Sequence, residues 1–237
     1  MLPSTHLPFQ TNRLLAALPA DEYQRILPSL EALSLQPRAS LYEPNETIEY
    51  VYFPLSGMAS ILISLGDGKM SEAGIAGNEG MVGLPLFLGA EKTHTKSFYQ
   101  VAGDAARMRR DDFKAEIQRH GALVSLLQRY VLAYFAMLAQ NSACNSQHRI
   151  SQRCARWMLL THDRVGVNRF ELTQELISEM LGVRRAGVNA VMQNLQEMGV
   201  IHYSRGIITI IDRTKLEQAA CECYSIITDE YKRAMSG

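Results

Sequence analysis

Residues 173–195 read TQELISEMLGVRRAGVNAVMQNL, and this stretch decides the fold. Thr173 stands where a helix begins, with a hydroxyl that can accept a backbone N–H of the first turn. Leu176, Ile177, Met180 and Leu181 recur at helical spacing and mark one apolar face. Gly182 ends that helix as a residue tolerant of left-handed geometry. A second amphipathic helix opens two or three residues later, and so tight a turn between helices is the helix-turn-helix pattern. Val183 wedges between the two helices, while Val188, Val191, Met192 and Leu195 face inward. Arg184, Arg185, Asn189, Gln193 and Gln196 are left on the outer face. Guanidinium and amide groups make paired hydrogen bonds to guanine and adenine edges. Arg184, Arg185 and Asn189 also sit early in the helix, where such a helix enters the major groove. Together with Thr173 and Gln174 at the start of the first helix, they point to double-stranded DNA. Gly199 closes the second helix, and the β-runs VIHYS and GIITIID meet at Arg205-Gly206. This hairpin, 200–212, reads as a wing whose Arg205 reaches phosphate.

Upstream, 121–145 reads GALVSLLQRYVLAYFAMLAQNSACN. Leu123, Leu127, Tyr130, Tyr134 and Met137 alternate spacings of four and three, a heptad-like seam continued by Asn141 and Cys144. A second apolar set (Leu126, Val131, Leu132, Phe135, Leu138) covers much of the remaining surface, so the helix is covered on more than one side. A homodimer helix with the first set at its interface is the expectation; a helix buried wholly within its own chain is the alternative. Further upstream the period changes. Short β-rich runs alternate with glycines from Leu35 to Met108, and Leu65-Gly66-Asp67-Gly68 is a hairpin signal. Such spacing suggests a barrel, jelly roll or β-sandwich. Residues 12–33 read as two short helices divided at Pro19, with Asp111 and Asp112 opening a later helix. A helix over 148–164, a strand over 169–172 and a final helix over 214–235 complete the reading. The fold class is α+β in three parts: a β-roll over 1–120, a dimerisation helix over 121–145, and a winged helix-turn-helix over 146–237.

The chain has 237 residues, 47% hydrophobic and 20% charged, an ordinary composition for a soluble globular protein. With 24 basic and 24 acidic residues it is neutral overall, so DNA binding would rest on a local basic surface. No run approaches the length of apolar sequence that spans a bilayer. The N-terminus, with Pro3 and Pro8, does not read as a signal peptide, so no membrane partner and a cytoplasmic location are expected. Cys221 and Cys223, read on one continuous helix, point about 200° apart and cannot share an ion. With Cys144 and Cys154 they are taken as reduced, buried thiols, and no metal is expected. A cupin-type enzyme needs a cluster of histidines and a carboxylate, whereas the β region holds only His94. No catalytic residue is therefore assigned.

The segment LTQELISEMLGVRRAGVNAVMQNL, followed by G-V-I, resembles the winged helix of the cyclic-AMP receptor protein and FNR (Crp/Fnr) family of bacterial transcription regulators. The resemblance extends over nearly the whole chain through the glycine-punctuated β-roll and the long helix. It implies a homodimer that reads a pseudo-palindromic operator, an effector bound in the β-roll, and contact with RNA polymerase where the output is activation. Arg185 matches the family's first recognition arginine. Ala186 replaces the usual glutamate and Ala190 the usual second arginine, so the operator differs from the best-known family sites. The resemblance places the effector pocket at Gly83, Leu84, Thr95 and Lys96. Gly83 matches the family glycine, but Leu84 stands where the ribose-binding glutamate belongs, and no arginine occurs between Gly77 and Gln100. A buried phosphate needs a paired cation, so cyclic AMP is not expected to bind in the usual way. The alternative is a variant phosphate site using Lys96. No cofactor is identified, an unknown small-molecule effector is allowed, and neither an iron–sulfur cluster nor haem is expected.

Overall fold

The computed structural model describes residues 9–66 and 70–236. Helices α1 (Arg13–Ala16) and α2 (Ala20–Ile26) lead into strands β1 (Glu31–Leu35), β2 (Ser40–Tyr42), β3 (Tyr50–Pro54), β4 (Met58–Ser64) and β5 (Met70–Ala76). One helical turn, α3 (Leu84–Phe87), precedes β6 (Thr95–Val101) and β7 (Gly103–Arg109). Three helices follow: α4 (Arg110–Ile117), α5 (Ala122–Gln147) and α6 (Ile150–Val165). The rest is β8 (Arg169–Glu171), α7 (Gln174–Leu181), α8 (Arg185–Glu197), β9 (Ile201–Ser204), β10 (Ile207–Ile210), α9 (Arg213–Ala219) and α10 (Cys223–Ser236).

Two antiparallel sheets, ordered β1-β7-β3 and β2-β6-β4-β5, form the β-roll. Val51 and Phe53 of β3, Met58 and Leu62 of β4, and Tyr99 of β6 are buried in one core with Met108 of β7. The buried amide of Asn12 fastens α1 to this roll. Its nitrogen donates to the carbonyls of Pro54 and Gly80, and its oxygen accepts from the backbone of Leu14 and Leu15.

Three boundaries differ from the sequence reading. Glu31–Leu35 pairs with β7 instead of extending the second helix to Leu33, because the ladder from Glu31↔Arg107 to Leu35↔Gly103 fixes it as strand. GLPLF turns helically at α3, where Pro85 has no N–H to give a ladder. The run 214–235 breaks between Ala219 and Cys223 into α9 and α10. The Asp67-Gly68 turn and the N-terminal residues 1–8 lie outside the described residues, although β4 and β5 pair down to Ser64↔Met70.

Among the described residues α5 is the one helix long and apolar enough to cross a bilayer, contrary to the reading of the sequence. Its inner side is packed into the protein. Tyr130 is fully buried against Gly80, where a Cβ would stand 2.2 Å from its Cε2, Cζ and hydroxyl oxygen. On the same side, α10 lies along α5. The Tyr231 and Tyr130 rings are 6.1 Å apart, and Arg129 Nε donates to the Ala234 carbonyl at 2.9 Å. The last helix of the 146–237 segment therefore rests on α5, while α9 stays with α6.

Candidate nucleic-acid interface

Thr173 caps α7, its hydroxyl accepting the Leu176 N–H at 3.2 Å. Gly182 ends α7 at φ +62°, the left-handed conformation that the sequence reading required. Arg184 then occupies the N-cap of α8, with β-type backbone. Val188, Met192 and Leu195 are buried, while Val183 and Val191 are half-buried against the core. Arg184, Arg185, Asn189 and Gln193 stand exposed along one side of α8. Half-buried Gln174 donates its amide to Asn189 Oδ1 at 3.2 Å, so the mouths of the two helices are joined by their own candidate contacts.

Gln196 behaves differently. Its Oε1 accepts the Tyr203 N–H at 2.8 Å, so it braces the wing and is not an outward group. The wing is the antiparallel pair β9–β10, with β8 on the other edge of β10. Arg205 is exposed at its tip with φ +50°, followed by Gly206 at +79°. The Gly206 carbonyl accepts the Leu172 N–H at 2.6 Å, which holds the tip beside the start of α7. Thr173, Gln174 and Asn189 thus lie near the Arg205-Gly206 tip, and Arg184, Arg185 and Gln193 are exposed on the same helix as Asn189.

Polar contacts join the winged helix to β5, to the turn after it and to α5. Trp157 of α6 donates its indole N–H to Glu72 at 2.7 Å. Arg156 donates to Asn141 Oδ1 at 2.5 Å, and Asn141 in turn donates to the Ala73 carbonyl at 3.1 Å. Arg164 and Glu79 form a buried ion pair at 2.8 Å. Burial pushes the Glu72 carboxyl up to about 7, against the hydrogen bonds from Ser60 and Trp157 that pull it down.

On the other side of the roll, a cavity of about 310 Å³ lies between β5, the 81–88 turn and α5. Gly83, Leu84 and Thr95 line it, with Ala73, Tyr134 and Phe135 among the other walls. Its polar groups are hydroxyls: Tyr42 and Thr95 are 3.3 Å apart, and Thr93 is 3.1 Å from Thr95. Lys96 is not in the lining. It points outward and pairs with Glu43 at 2.9 Å, because alternate residues of β6 face opposite sides of the sheet. No lysine, arginine, histidine or carboxylate lines the cavity among the described residues. His94 is exposed on the loop before β6.

Residues 152–219 match the Crp-like helix-turn-helix domain, and residues 32–120 match the cyclic nucleotide-binding domain. The chain belongs to the Crp/Fnr family. No curated protein sequence matches this regulator. Its fold is similar to that of FixK2 from Bradyrhizobium japonicum, with TM-score 0.69, 15% identity, and 81% of this chain and 98% of the other covered. A putative Crp/Fnr regulator from Eubacterium rectale aligns with TM-score 0.65 at 19% identity, covering 87% of this chain and 96% of its own. The c-di-GMP-responsive regulator CLP of Xanthomonas campestris aligns with TM-score 0.62 at 14% identity, covering 81% and 99%. At these identities the likeness is one of fold.

Two assignments made from the regulator's sequence need correction. Leu123, Leu127, Tyr130 and Met137 are 0–3% exposed inside their own chain and cannot form an interface. Tyr134 lies half-buried against Gly74 and lines the cavity, and Asn141 is held by Ala73 and Arg156. The outward stripe is instead Val124, Gln128, Val131, Phe135, Leu138 and Ser142, which repeats the same four-and-three spacing one position round. Phe135 on it and Leu132 beside it are each 69% exposed. Two faces of α5 thus carry heptad-like spacing, and one of them is buried within the chain.

The second correction concerns the cysteines. Cys221 lies in the turn between α9 and α10, not on a helix with Cys223. The 200° separation therefore does not apply. Cys144, His148, Cys221 and Cys223 converge, a grouping that no local spacing in the sequence could reveal.

Proposed function

We propose that this DNA-binding regulator acts as a homodimer through the outer stripe of α5 and reads a pseudo-palindromic operator. The observation that carries the reading is the exposed row Arg184, Arg185, Asn189 and Gln193 on α8, with Arg205 on the adjoining wing. The row supplies paired donors for base edges, and the wing supplies a cation for phosphate. A two-fold pair of such helices reads half-sites about 34 Å apart. Leu132 and Phe135 give the partner an apolar seat, and a second α5 laid on that stripe also covers the open side of the cavity, where Val131, Phe135 and Leu138 stand.

The effector favoured by this cavity is a small, largely apolar molecule with a hydroxyl-compatible polar group. A phosphate in it would meet hydroxyls and no cation, at a high desolvation cost. Coupling runs through β5 at Ala73, the residue skipped where its pairing with β4 shifts from Ile61↔Gly74 to Leu62↔Glu72. Ala73 lines the cavity, and the adjacent Glu72 holds Trp157 of the winged helix. A ligand that displaces this strand shifts the population of docked and released winged helices by its differential affinity for the two. The location that fits this role is the cytoplasm, and an RNA polymerase contact belongs to the activating case.

Selection of bound sites from random DNA tests the first part. Enrichment of a two-fold symmetric site whose affinity falls steeply with salt is expected; enrichment of no sequence overturns it. Calorimetry with cyclic AMP and cyclic di-GMP tests the second. No saturable heat is expected from either, and stoichiometric binding of cyclic AMP restores the variant phosphate site as the better reading.

A further inference from the structure

Three of the regulator's four cysteines cluster at one place. Cys144 is on the last turn of α5, His148 is its C-cap, Cys221 is in the α9–α10 turn, and Cys223 opens α10. Their four ligand atoms lie within 4.8 Å of one another. All three cysteines are buried and free, and His148 is half-buried.

We propose that Cys144, His148, Cys221 and Cys223 form a structural zinc site. The distances fit a single ion. A tetrahedron with Zn–S near 2.3 Å and Zn–N near 2.0–2.1 Å places sulfurs about 3.8 Å apart, and sulfur and nitrogen about 3.6 Å apart. Here Cys144 Sγ is 3.5 Å from Cys221 Sγ, and Cys223 Sγ is 3.4 Å from His148 Nδ1. A cluster of several metal atoms would hold its thiolates farther apart. Three sulfurs and one imidazole suit a borderline-soft, redox-inert ion, and four protein ligands make a closed site without an open catalytic position.

The surroundings are those of a metal-bound imidazole. His148 turns Nδ1 to the cluster and Nε2 to Glu222 Oε1 at 3.3 Å, the carboxylate–histidine arrangement that fixes the ring of a ligating histidine. Gln140 Nε2 reaches Cys223 Sγ at 3.0 Å, a donor that a thiolate would accept. Binding breaks three S–H bonds, forms three Zn–S bonds and one Zn–N bond, and releases three protons to solvent. The resulting complex carries one negative charge. Arg156 of α6 is buried close by and acts against the burial that raises the Cys144 thiol. The site ties the end of α5 to the start of α10, at the point where the chain passes into and out of the winged helix.

The test uses the full chain, produced with zinc and separately with cobalt in the medium. One zinc per chain is expected after gel filtration. Cobalt should give the intense visible bands of a tetrahedral thiolate complex, and X-ray absorption a shell of three sulfurs and one nitrogen. Cys144→Ala and Cys223→Ser should lose the metal, while Cys154→Ala, at a buried thiol outside the cluster, should keep it. If the cluster variants fail to fold, the wild-type stoichiometry and absorption shell still decide. Zinc-free protein with an octahedral cobalt spectrum, an iron–sulfur chromophore, a Cys144–Cys221 disulfide in place of metal, or full zinc content in Cys144→Ala overturns the proposal.

Discussion

The winged helix and the β-roll cavity make an instructive pair, because helical spacing predicted the exposed residues of the first and a family resemblance those of the second. In the winged helix, Arg184, Arg185, Asn189 and Gln193 stand outward as their spacing requires. In the cavity, three of four predicted residues line the wall and the charged one, Lys96, lies outside, paired with Glu43. A recognition helix is a local object: once its buried face is known, the 3.6-residue period assigns every other side chain. A cavity is assembled from strands and a helix far apart in sequence. Which face of β6 looks into it depends on pairing with β2 and β4, including a register shift between Ser40 and Tyr42.

That contrast can be broken most forcefully at α5. Replacing both Leu132 and Phe135 by Asp should convert the dimer to monomers in sedimentation experiments. Operator affinity should then fall by more than about 100-fold, since one half-site replaces two. An unchanged dimer would mean that the outer stripe is not the seam. Next in size is Arg185→Ala, which should cost about 1–3 kcal/mol in each half-site and erase the footprint. A retained footprint would remove Arg185 from base reading. Arg205→Ala should act more mildly, weakening all DNA sequences alike and lowering the slope of log affinity against log salt by about 1 per wing.

The smallest effect tests the tie between the two regions. Glu72, pushed up to about 7 by burial, binds a proton more tightly in the folded protein than in the unfolded chain. Its contribution is fully present below the ordinary carboxylate range and is lost as pH rises through about 7. Thermal unfolding followed from pH 5 to 8 should therefore show stability declining, with a shallower decline in Glu72→Gln. An equal decline in the variant would place the titrating group elsewhere.

The parts of the molecule legible in its sequence are those set by near neighbours. The Gly182 turn, the Thr173 cap, the Arg205-Gly206 tip and the two helices divided at Pro19 all follow from residues within a few positions. What the sequence did not disclose depends on distant partners. The inner face of α5 is not legible because both faces are apolar, and only the packing of Tyr130 on Gly80 and Tyr231 shows which is inside. The cysteine and histidine cluster joins residues 77 positions apart, and it required the helix break at 220–222 that an uninterrupted apolar period concealed.

The course of α10 has a mechanical consequence. The winged helix is not a bead on the end of a string; it is an insertion between two segments moored side by side, leaving α5 at His148 and returning at Cys221. A body held at two neighbouring pivots swings about the line that joins them and is denied most other motions. Whatever frees α7 and α6 from β5 would swing the reading surface along one arc, so an effector need only choose a position on that arc and need not specify an orientation in space.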